Sequence, residues 1–197
     1  TRILERMVDE KEFLSDYGIR SLSKIYENEP YNFEVDNKTF TVKYTPAESD
    51  SDMFGGNSNW RGPIWFPINF LIVESLQRFH YYYGNKLQIE YPANSGEMKN
   101  LEFVSNDLSD RLCSIFKKDE NGNRACNGGN KLLNEDPFFK DYIMFYEYFN
   151  GDTGQGIGAS HQTGWTATVA KLMQPRFDWI FKEDNATPLL HSQKLDN

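Results

Sequence analysis

The chain has 197 residues, enough for one domain with a sizeable core, and its 21 Lys and Arg against 29 Asp and Glu give a net charge of −8 at pH 7. An acidic chain repels phosphate groups, which argues against nucleic-acid partners and anionic membrane surfaces, and no apolar run approaches the roughly 20 residues of a membrane span. The sequence opens on TRILERMVDE without a starting Met, so we expect a piece of a longer polypeptide whose compartment stays open.

The first third of the chain predicts loops around a single hairpin. Residues 2–10 have the character of a helix end, and Gly and Ser indicate a loop over 12–23. Residues 31–44 alternate apolar and polar side chains around Asp36-Asn37-Lys38, which predicts a β-hairpin. A second loop, rich in Pro, Gly, Ser and Asp, follows over 45–59.

Helical periodicity begins at residue 66. Apolar side chains recur every three or four residues over 66–83, and Gly84-Asn85 ends that pattern in the usual C-terminal chemistry of a helix. We predict further helices over 101–115, from Asp136-Pro137 through Tyr148 with Asp136 as the cap, and over 163–172. A short fifth segment, PRFDWIF at 175–181, precedes the tail. We therefore expect a mainly α fold with at least four substantial helices, one hairpin and long loops.

Three of these loops carry residues suited to ligand binding: GIRSLS at 18–23, NWRGPIW at 59–65, and the Gly-rich stretch 145–167. In the second loop, Trp60 or Trp65 could cover the apolar face of a pyranose while Arg61 donates hydrogen bonds to its hydroxyls. The alternative is a hydrophobic corner in which Arg61 pairs with a nearby acid.

The third loop contributes one carboxylate, Glu147, predicted at the end of an aromatic helix. Desolvation by its aromatic neighbours would suit it to proton transfer, although an exposed position on the polar side of the helix is the alternative. His161 could act as a base, donate a hydrogen bond to substrate or serve a structural role. Trp165 is either a wall of the binding site or a core residue at a helix start.

Other chemistries have no support in the sequence. It contains no HExxH, EF-hand loop, P-loop or GxSxG motif, so we expect neither a metal site nor a cofactor. Cys113 and Cys126 belong to no metal-binding pattern; two reduced thiols are the expectation, and a disulfide stays open.

Two long stretches, GGNSNWRGPIWFPINFLIVESLQRF at 55–79 and EYFNGDTGQGIGASHQTGWTATVA at 147–170, resemble the C-terminal part of glycoside hydrolase family 63. The family includes processing α-glucosidases and bacterial glucosidases and mannosylglycerate hydrolases. The resemblance runs from about Ile3 to near Met173 and is strongest to a branch of large microbial and fungal glucosidase-like proteins. It implies the C-terminal portion of an (α/α)6 barrel, with residues 1–184 as a partial catalytic domain. The polar composition of 185–197 predicts a C-terminal tail.

The resemblance also implies a mechanism. Members of this family invert the anomeric centre, and their general base matches Glu147, whereas their general acid is an Asp on an upstream part of the barrel. Asp50 and Asp52 lie in a suitable loop, but the resemblance does not assign the acid to them. WRGPIW, with Trp60, Arg61 and Trp65, would then form a wall of the glycone subsite. We expect Glu147, His161 and Trp165 to converge on it.

The sequence thus predicts the C-terminal segment of an inverting α-glycosidase, with an oligosaccharide or α-glycoside as substrate and the rest of the parent polypeptide as partner. The alternative is a non-catalytic carbohydrate-binding or scaffolding protein on a degenerate glycosidase fold. A third possibility is a helical domain whose aromatic residues only pack against each other.

Overall fold

A computed structural model describes residues 2–48, 50 and 60–174 of the chain. The helices among them are α1 (Arg2–Met7), α2 (Phe66–Tyr83), α3 (Leu101–Ser114), α4 (Lys131–Glu135), α5 (Thr163–Thr166) and α6 (Val169–Met173). The strands form four antiparallel pairs: β1 (Leu14–Ser15) with β2 (Gly18–Ile19), β3 (Tyr31–Val35) with β4 (Lys38–Val42), β5 (Gln88–Glu90) with β6 (Met98–Asn100), and β7 (Tyr148–Phe149) with β8 (Gly156–Ile157).

The two long helices confirm the predictions made from periodicity. Helix α2 carries a Pro in its first turn and ends where Gly84, at a φ of 55°, donates its N–H to the His80 carbonyl. Helix α3 is capped by the Asn100 side chain, which accepts the Phe103 N–H at 2.8 Å. The two helices contact each other, and Phe66, Val73 and Leu76 of α2 lie in one core cluster with the apolar face of α3. Phe79 and Tyr83, which the periodicity places on the same face of α2, are exposed.

The hydrophobic core is formed by the buried faces of α2 and α3 and by other segments that pack against them. Its centre is a group of three rings, Phe66, Phe116 and Phe149, whose centroids lie 5.6–6.1 Å apart in edge contacts. All three are at most 2% exposed. Because Phe66 starts α2 and Phe149 ends β7, this core joins the long helix to the loop that carries Glu147.

The β3–β4 hairpin is confirmed, with Phe33 opposite Phe40. Asp36 and Asn37 form its two-residue turn at φ values of 49° and 58°, which Asn and Asp tolerate and which match the right-handed twist of the strands. Every residue of the two strands except Val42 is exposed.

The predicted helix from Asp136 through Tyr148 is wrong. Helix α4 ends at Glu135, Asp136 is extended with a ψ of 127°, and the chain then passes through turns into β7. The residue before a proline is disfavoured in the helical region, so Asp136-Pro137 ends a helix here instead of starting one. The aromatic run that follows suits a strand that pairs with other segments.

The predicted helix over 163–172 is broken into α5 and α6. Thr168 donates its hydroxyl to the Trp165 carbonyl at 2.5 Å, and such local side-chain bonds compete with continuous helix. Thr166 donates to the distant Tyr146 carbonyl at 2.7 Å and fixes α5 to the segment before Glu147. Among the described residues only α2 and α3 exceed six residues, so the expectation of four substantial helices is also wrong. The structure is a mixture of helix and small strand pairs, and the barrel remains a proposal.

Several expectations fall outside the described residues: the loop over 51–59 with Asp52, the segment 175–181 and the tail over 185–197. In the part that is described, no helix combines the length and apolar character needed to cross a membrane. The same residues contain no group of three or more His, Cys, Asp or Glu placed to hold a metal ion.

Candidate functional site

The three loops singled out in the sequence are hydrogen-bonded to one another. Ser21 donates its backbone N–H to the Pro63 carbonyl at 3.1 Å, and its hydroxyl oxygen accepts the Gly62 N–H at 3.0 Å. Ile64 and Phe149 exchange backbone hydrogen bonds of 2.8 and 3.0 Å. The loop over 60–65 therefore lies between the other two and is fixed to both.

This contact requires glycine at two positions. A Cβ on Gly151 would lie 2.6 Å from both the Gly62 carbonyl oxygen and the Tyr44 hydroxyl. Gly62 has a φ of 148°, and a Cβ there would lie 2.6 Å from the Thr45 carbonyl oxygen. Neither position has room for a side chain, so the glycines allow the backbones to meet.

A buried amide also joins two of these loops to α2. Asn69 is 3% exposed; its Oδ1 accepts the Ile19 N–H at 2.7 Å and its Nδ2 donates to the carbonyls of Ile19 and Trp65 at 3.0 and 3.1 Å. Sequence reasoning missed this residue. Its signal is a polar side chain in the first turn of an otherwise apolar helical pattern.

Four rings form what we call the aromatic cluster: Trp60, Trp65, Tyr148 and Trp165. Trp65 stacks on Trp60 at 3.9 Å and on Tyr148 at 5.0 Å between centroids, and the edge of Trp165 meets it at 5.9 Å. Trp65 is 4% exposed, whereas Trp60 is 45% exposed. The structure thus brings the three predicted tryptophans together, and Trp60 rather than Trp65 has the exposed ring. Tyr148 was not predicted; its hydroxyl donates to Glu48 Oε2 at 3.0 Å.

Arg61 is buried and lies 3.7 Å from a carboxylate oxygen of Asp50, so the pairing with a nearby acid is present. Its carbonyl accepts the Thr45 N–H at 2.6 Å. The Lys43 ammonium, 2.5 Å from Asp50, together with the more distant Arg61 guanidinium, lowers the pKa of the Asp50 carboxyl below its ordinary value. The hydrogen bonds from Arg61 to a substrate remain a prediction.

Glu147 lies just before strand β7, not at a helix end as predicted. Its N–H donates to the Ala159 carbonyl at 2.8 Å, and its Oε2 accepts the Ala159 N–H at 3.3 Å. Gly158 leaves the space that the carboxylate occupies, because a Cβ there would lie 2.7 Å from Oε2. The half-buried Glu147 carboxylate is therefore held by the backbone that follows β8. In the sequence, Glu147 directly precedes Tyr148 of the aromatic cluster. Its catalytic role remains a prediction.

The last two predicted residues lie on the segment after β8. His161 is exposed, with its Nδ1 3.4 Å from the Ser160 hydroxyl, and Gln162 fixes the local backbone by donating to the Phe145 carbonyl at 2.7 Å. Trp165 is half-buried at the edge of the aromatic cluster. The structure thus places Trp165 with the other tryptophans, and His161 on exposed surface.

Asp152 is the centre of a charged network that sequence reasoning also missed. Its Oδ1 accepts hydrogen bonds from Lys24 Nζ at 2.9 Å, from the Tyr44 hydroxyl at 3.1 Å and from Arg20 Nη2 at 3.2 Å. Burial opposes ionisation of this carboxyl, but the three donors outweigh burial and lower its pKa below the ordinary value. Burial raises the pKa of Tyr44, which therefore stays a neutral donor.

A surface depression of about 610 Å³ lies elsewhere in the described residues, and its lining includes Tyr17, Lys117, Arg124 and Thr153. It contains none of the six predicted site residues.

Comparison with known proteins supplies the family context. Residues 1–108 match the family described as the glycosyl hydrolase family 63 C-terminal domain. The chain is 58% identical over 173 residues to an uncharacterised protein of Saccharomyces cerevisiae, covering 87% of this chain and 16% of that protein. It is 25% identical over 173 residues to the mannosyl-oligosaccharide glucosidase of the same yeast, covering 87% and 15%. A probable mannosyl-oligosaccharide glucosidase of Schizosaccharomyces pombe is 28% identical over 178 residues, covering 90% and 15%. The chain thus spans 15–16% of the length of these curated relatives.

Proposed function

Because this chain belongs to glycosyl hydrolase family 63, we propose that it is the C-terminal segment of an inverting α-glycosidase acting on α-glucosides or related α-linked oligosaccharides. Family membership and the two glucosidase relatives support a glycosidase-family role. The linkage, the mechanism and the roles of individual residues are our proposal.

The observation that carries the proposal is the position of Glu147. The Ala159 N–H holds one oxygen of its carboxylate at 3.3 Å, and the next residue, Tyr148, stacks in the aromatic cluster. In an inverting hydrolase one carboxylic acid protonates the leaving oxygen while a second carboxylate takes a proton from the attacking water on the opposite face of the sugar. We assign the second role to Glu147. The general acid would come from a part of the polypeptide outside this chain.

The aromatic cluster would bind the sugar. Trp60 keeps 45% of its surface exposed and can stack on the apolar face of a pyranose, while its other face stacks on Trp65, which Tyr148 and Trp165 hold in place. Arg61, held near Asp50, would donate to a sugar hydroxyl at the edge of this surface. We assign His161 a hydrogen bond to substrate at the rim.

The proposal is tested in the longer polypeptide that would contain this chain, with a panel of α-glucosides and α-mannosides and NMR detection of the first product anomer. Glu147→Gln should abolish turnover and largely spare sugar binding, because the amide keeps the shape of the carboxylate but cannot accept a proton from water. Glu120→Gln, which changes an exposed glutamate of the 119–130 loop, is the matched control and should leave turnover unchanged. Full activity of Glu147→Gln, or a retained anomer as first product, would contradict the assignment.

A non-catalytic carbohydrate-binding protein is the second candidate, because the exposed Trp60 ring would bind a sugar with or without a general acid. The same panel separates the two functions. Sugar binding without any turnover by the unaltered polypeptide, lost in Trp60→Ala and kept in Glu147→Gln, would favour this candidate.

A further inference from the structure

The hairpin of β7 and β8 has Glu147 at its open end and Asn150 in the turn at its closed end. At its open end, Glu147 and Ala159 are joined by the backbone bond of 2.8 Å and the side-chain bond of 3.3 Å. At its closed end, Asn150 Oδ1 accepts the N–H groups of Asp152 and Thr153 at 2.8 and 3.1 Å and shapes the turn. Two strands of two residues each therefore connect the turn that contains Asp152 to Glu147.

The closed end is attached to the rest of the molecule through the Asp152 carboxylate. One oxygen, Oδ1, accepts from Arg20, Lys24 and Tyr44, which are 132, 128 and 108 residues away along the chain. Arg20 is 7% exposed; it also donates to the Leu14 carbonyl and, at 3.1 Å, to the Tyr44 oxygen. Asp152 is therefore the shared acceptor of a network built on three separate segments.

The same network reaches the tryptophan-bearing loop. The Tyr44 side chain packs against two glycines. A Cβ on Gly62 would come within 2.8 Å of the Tyr44 ring, and a Cβ on Gly151 would lie 2.6 Å from the Tyr44 hydroxyl. The neighbouring Thr45 donates its N–H to the Arg61 carbonyl at 2.6 Å. Asp152, by orienting Tyr44, thus supports the backbone of 61–62 that leads from Trp60 to Trp65.

We propose that Asp152 is a positioning residue of this site: through Arg20, Lys24 and Tyr44 it sets the position of Glu147 relative to the aromatic cluster. The inference rests on the proposed function for its catalytic consequence. We assign Asp152 no contact with substrate. An asparagine would keep the shape and lose the charge, leaving the buried Arg20 guanidinium and the Lys24 ammonium without their shared anion.

The kinetic test compares Asp152→Asn, Asp152→Glu and Asp141→Asn in the longer polypeptide, with rates expressed per folded molecule. Misplacement of a catalytic group by about 1 Å costs up to about 100-fold in rate, so we expect kcat of Asp152→Asn to fall roughly 10- to 100-fold with KM changed less than about threefold. Asp152→Glu restores the charge and should recover part of kcat. Asp141→Asn removes an exposed partner of Lys118 and should match the unaltered protein. An unchanged kcat in Asp152→Asn, or a loss that only follows the folded fraction, overturns the inference.

A second readout is independent of activity. Stacked rings at 3.9 Å shift each other's NMR signals, so the indole N–H resonances of Trp60 and Trp65 report the aromatic cluster in the isotopically labelled 197-residue chain. Trp60→Phe and Trp65→Phe, each of which removes one resonance, assign them. We expect Asp152→Asn to move these resonances at a temperature where the protein is folded, and Asp141→Asn to leave them in place. Unmoved resonances overturn the inference even if kcat falls. If the unaltered polypeptide hydrolyses no α-glycoside, the proposed function fails, and these resonances alone decide whether Asp152 positions the cluster.

Discussion

Trp60 lies parallel to Trp65, with ring centroids 3.9 Å apart and planes 2° apart, yet Trp60 is 45% exposed and Trp65 only 4%. One stack thus contains a ring that faces solvent and a ring enclosed on both faces by Trp60 and Tyr148. The sequence motif does not distinguish the two tryptophans. Their surroundings do: Trp60 is available to a ligand, and Trp65 packs in the interior.

Replacing each ring by alanine should separate those roles. Trp65→Ala removes a buried ring and should lower the free energy of unfolding by about 3–5 kcal/mol. Trp60→Ala removes an exposed ring and should cost less than about 1 kcal/mol while it weakens sugar binding. Urea unfolding of the 197-residue chain measures both values. Equal losses of stability in the two variants would contradict this division.

Substitution of Gly151 tests how much stability depends on the close approach of its loop to the loop that contains Gly62. Its Cβ would lie 2.6 Å from the Gly62 carbonyl oxygen, so Gly151→Ala must push the two backbones apart and should cost about 1–3 kcal/mol of unfolding free energy. Gly129→Ala is the matched control, because nothing lies within 4 Å of the added methyl group, and it should change stability by less than about 0.5 kcal/mol. Thermal unfolding of both variants decides; similar melting temperatures would show that the loops do not depend on this contact.

The elements predicted correctly are those whose signals are local. The periodicities over 66–83 and 101–115 and the Asp36-Asn37 turn each lie within one element, so the sequence alone predicts them. The segment before Glu147 is predicted as a helix because Asp136 as a cap and Pro137 in the first turn are typical of a helix start. Its strand pairs with Ile64, 85 residues earlier in the chain, and no local pattern reveals such a partner.

The candidate site also has one part that the sequence predicts and one part that depends on contacts between distant residues. Its tryptophans and Glu147 lie in motifs long enough to recognise, and the structure brings the three tryptophans into contact. The network around Asp152 joins side chains 108 to 132 residues apart. In the sequence, no local pattern distinguishes any of them from an ordinary surface residue. Its members become identifiable only when the fold brings the loops together.

Both cysteines should be inert in the folded chain. Cys113 and Cys126 are both buried and form no disulfide, and burial raises the pKa of Cys126 to about 11. Since the thiolate is the reactive form, neither should react with iodoacetamide at pH 8, whereas both should react after unfolding in guanidinium. Mass spectrometry counts the labels. A labelled Cys126 in the native protein would contradict its burial.

Acid should remove the stabilisation that the Asp152 network provides. The folded-state pKa of Asp152 is lower than its unfolded value of about 3.9, so its ionised form contributes stability above that pH and loses it as the pH falls through the folded pKa. The difference in unfolding free energy between the unaltered chain and Asp152→Asn should therefore be full at pH 7 and shrink below about pH 4. Glu12 and Asp50, whose pKa values are also lowered, titrate in both proteins and cancel. A difference that stays constant down to the acid transition would contradict the ionic role.

The 197-residue chain alone should hydrolyse no α-glucoside or α-mannoside at a measurable rate. It spans 15–16% of the length of its curated relatives, and in the proposed function it supplies the base, Glu147, without the acid. Inverting hydrolysis uses both carboxyl groups in one step, because the leaving oxygen is protonated as water loses its proton, so a chain with one of them loses the concerted step altogether. The measurement is release of reducing sugar from the same panel of substrates, with the longer polypeptide at equal concentration as the positive control. Turnover by the isolated chain that disappears in Glu147→Gln would place the general acid within these 197 residues. Asp50 would then be the first candidate for mutation among the described residues.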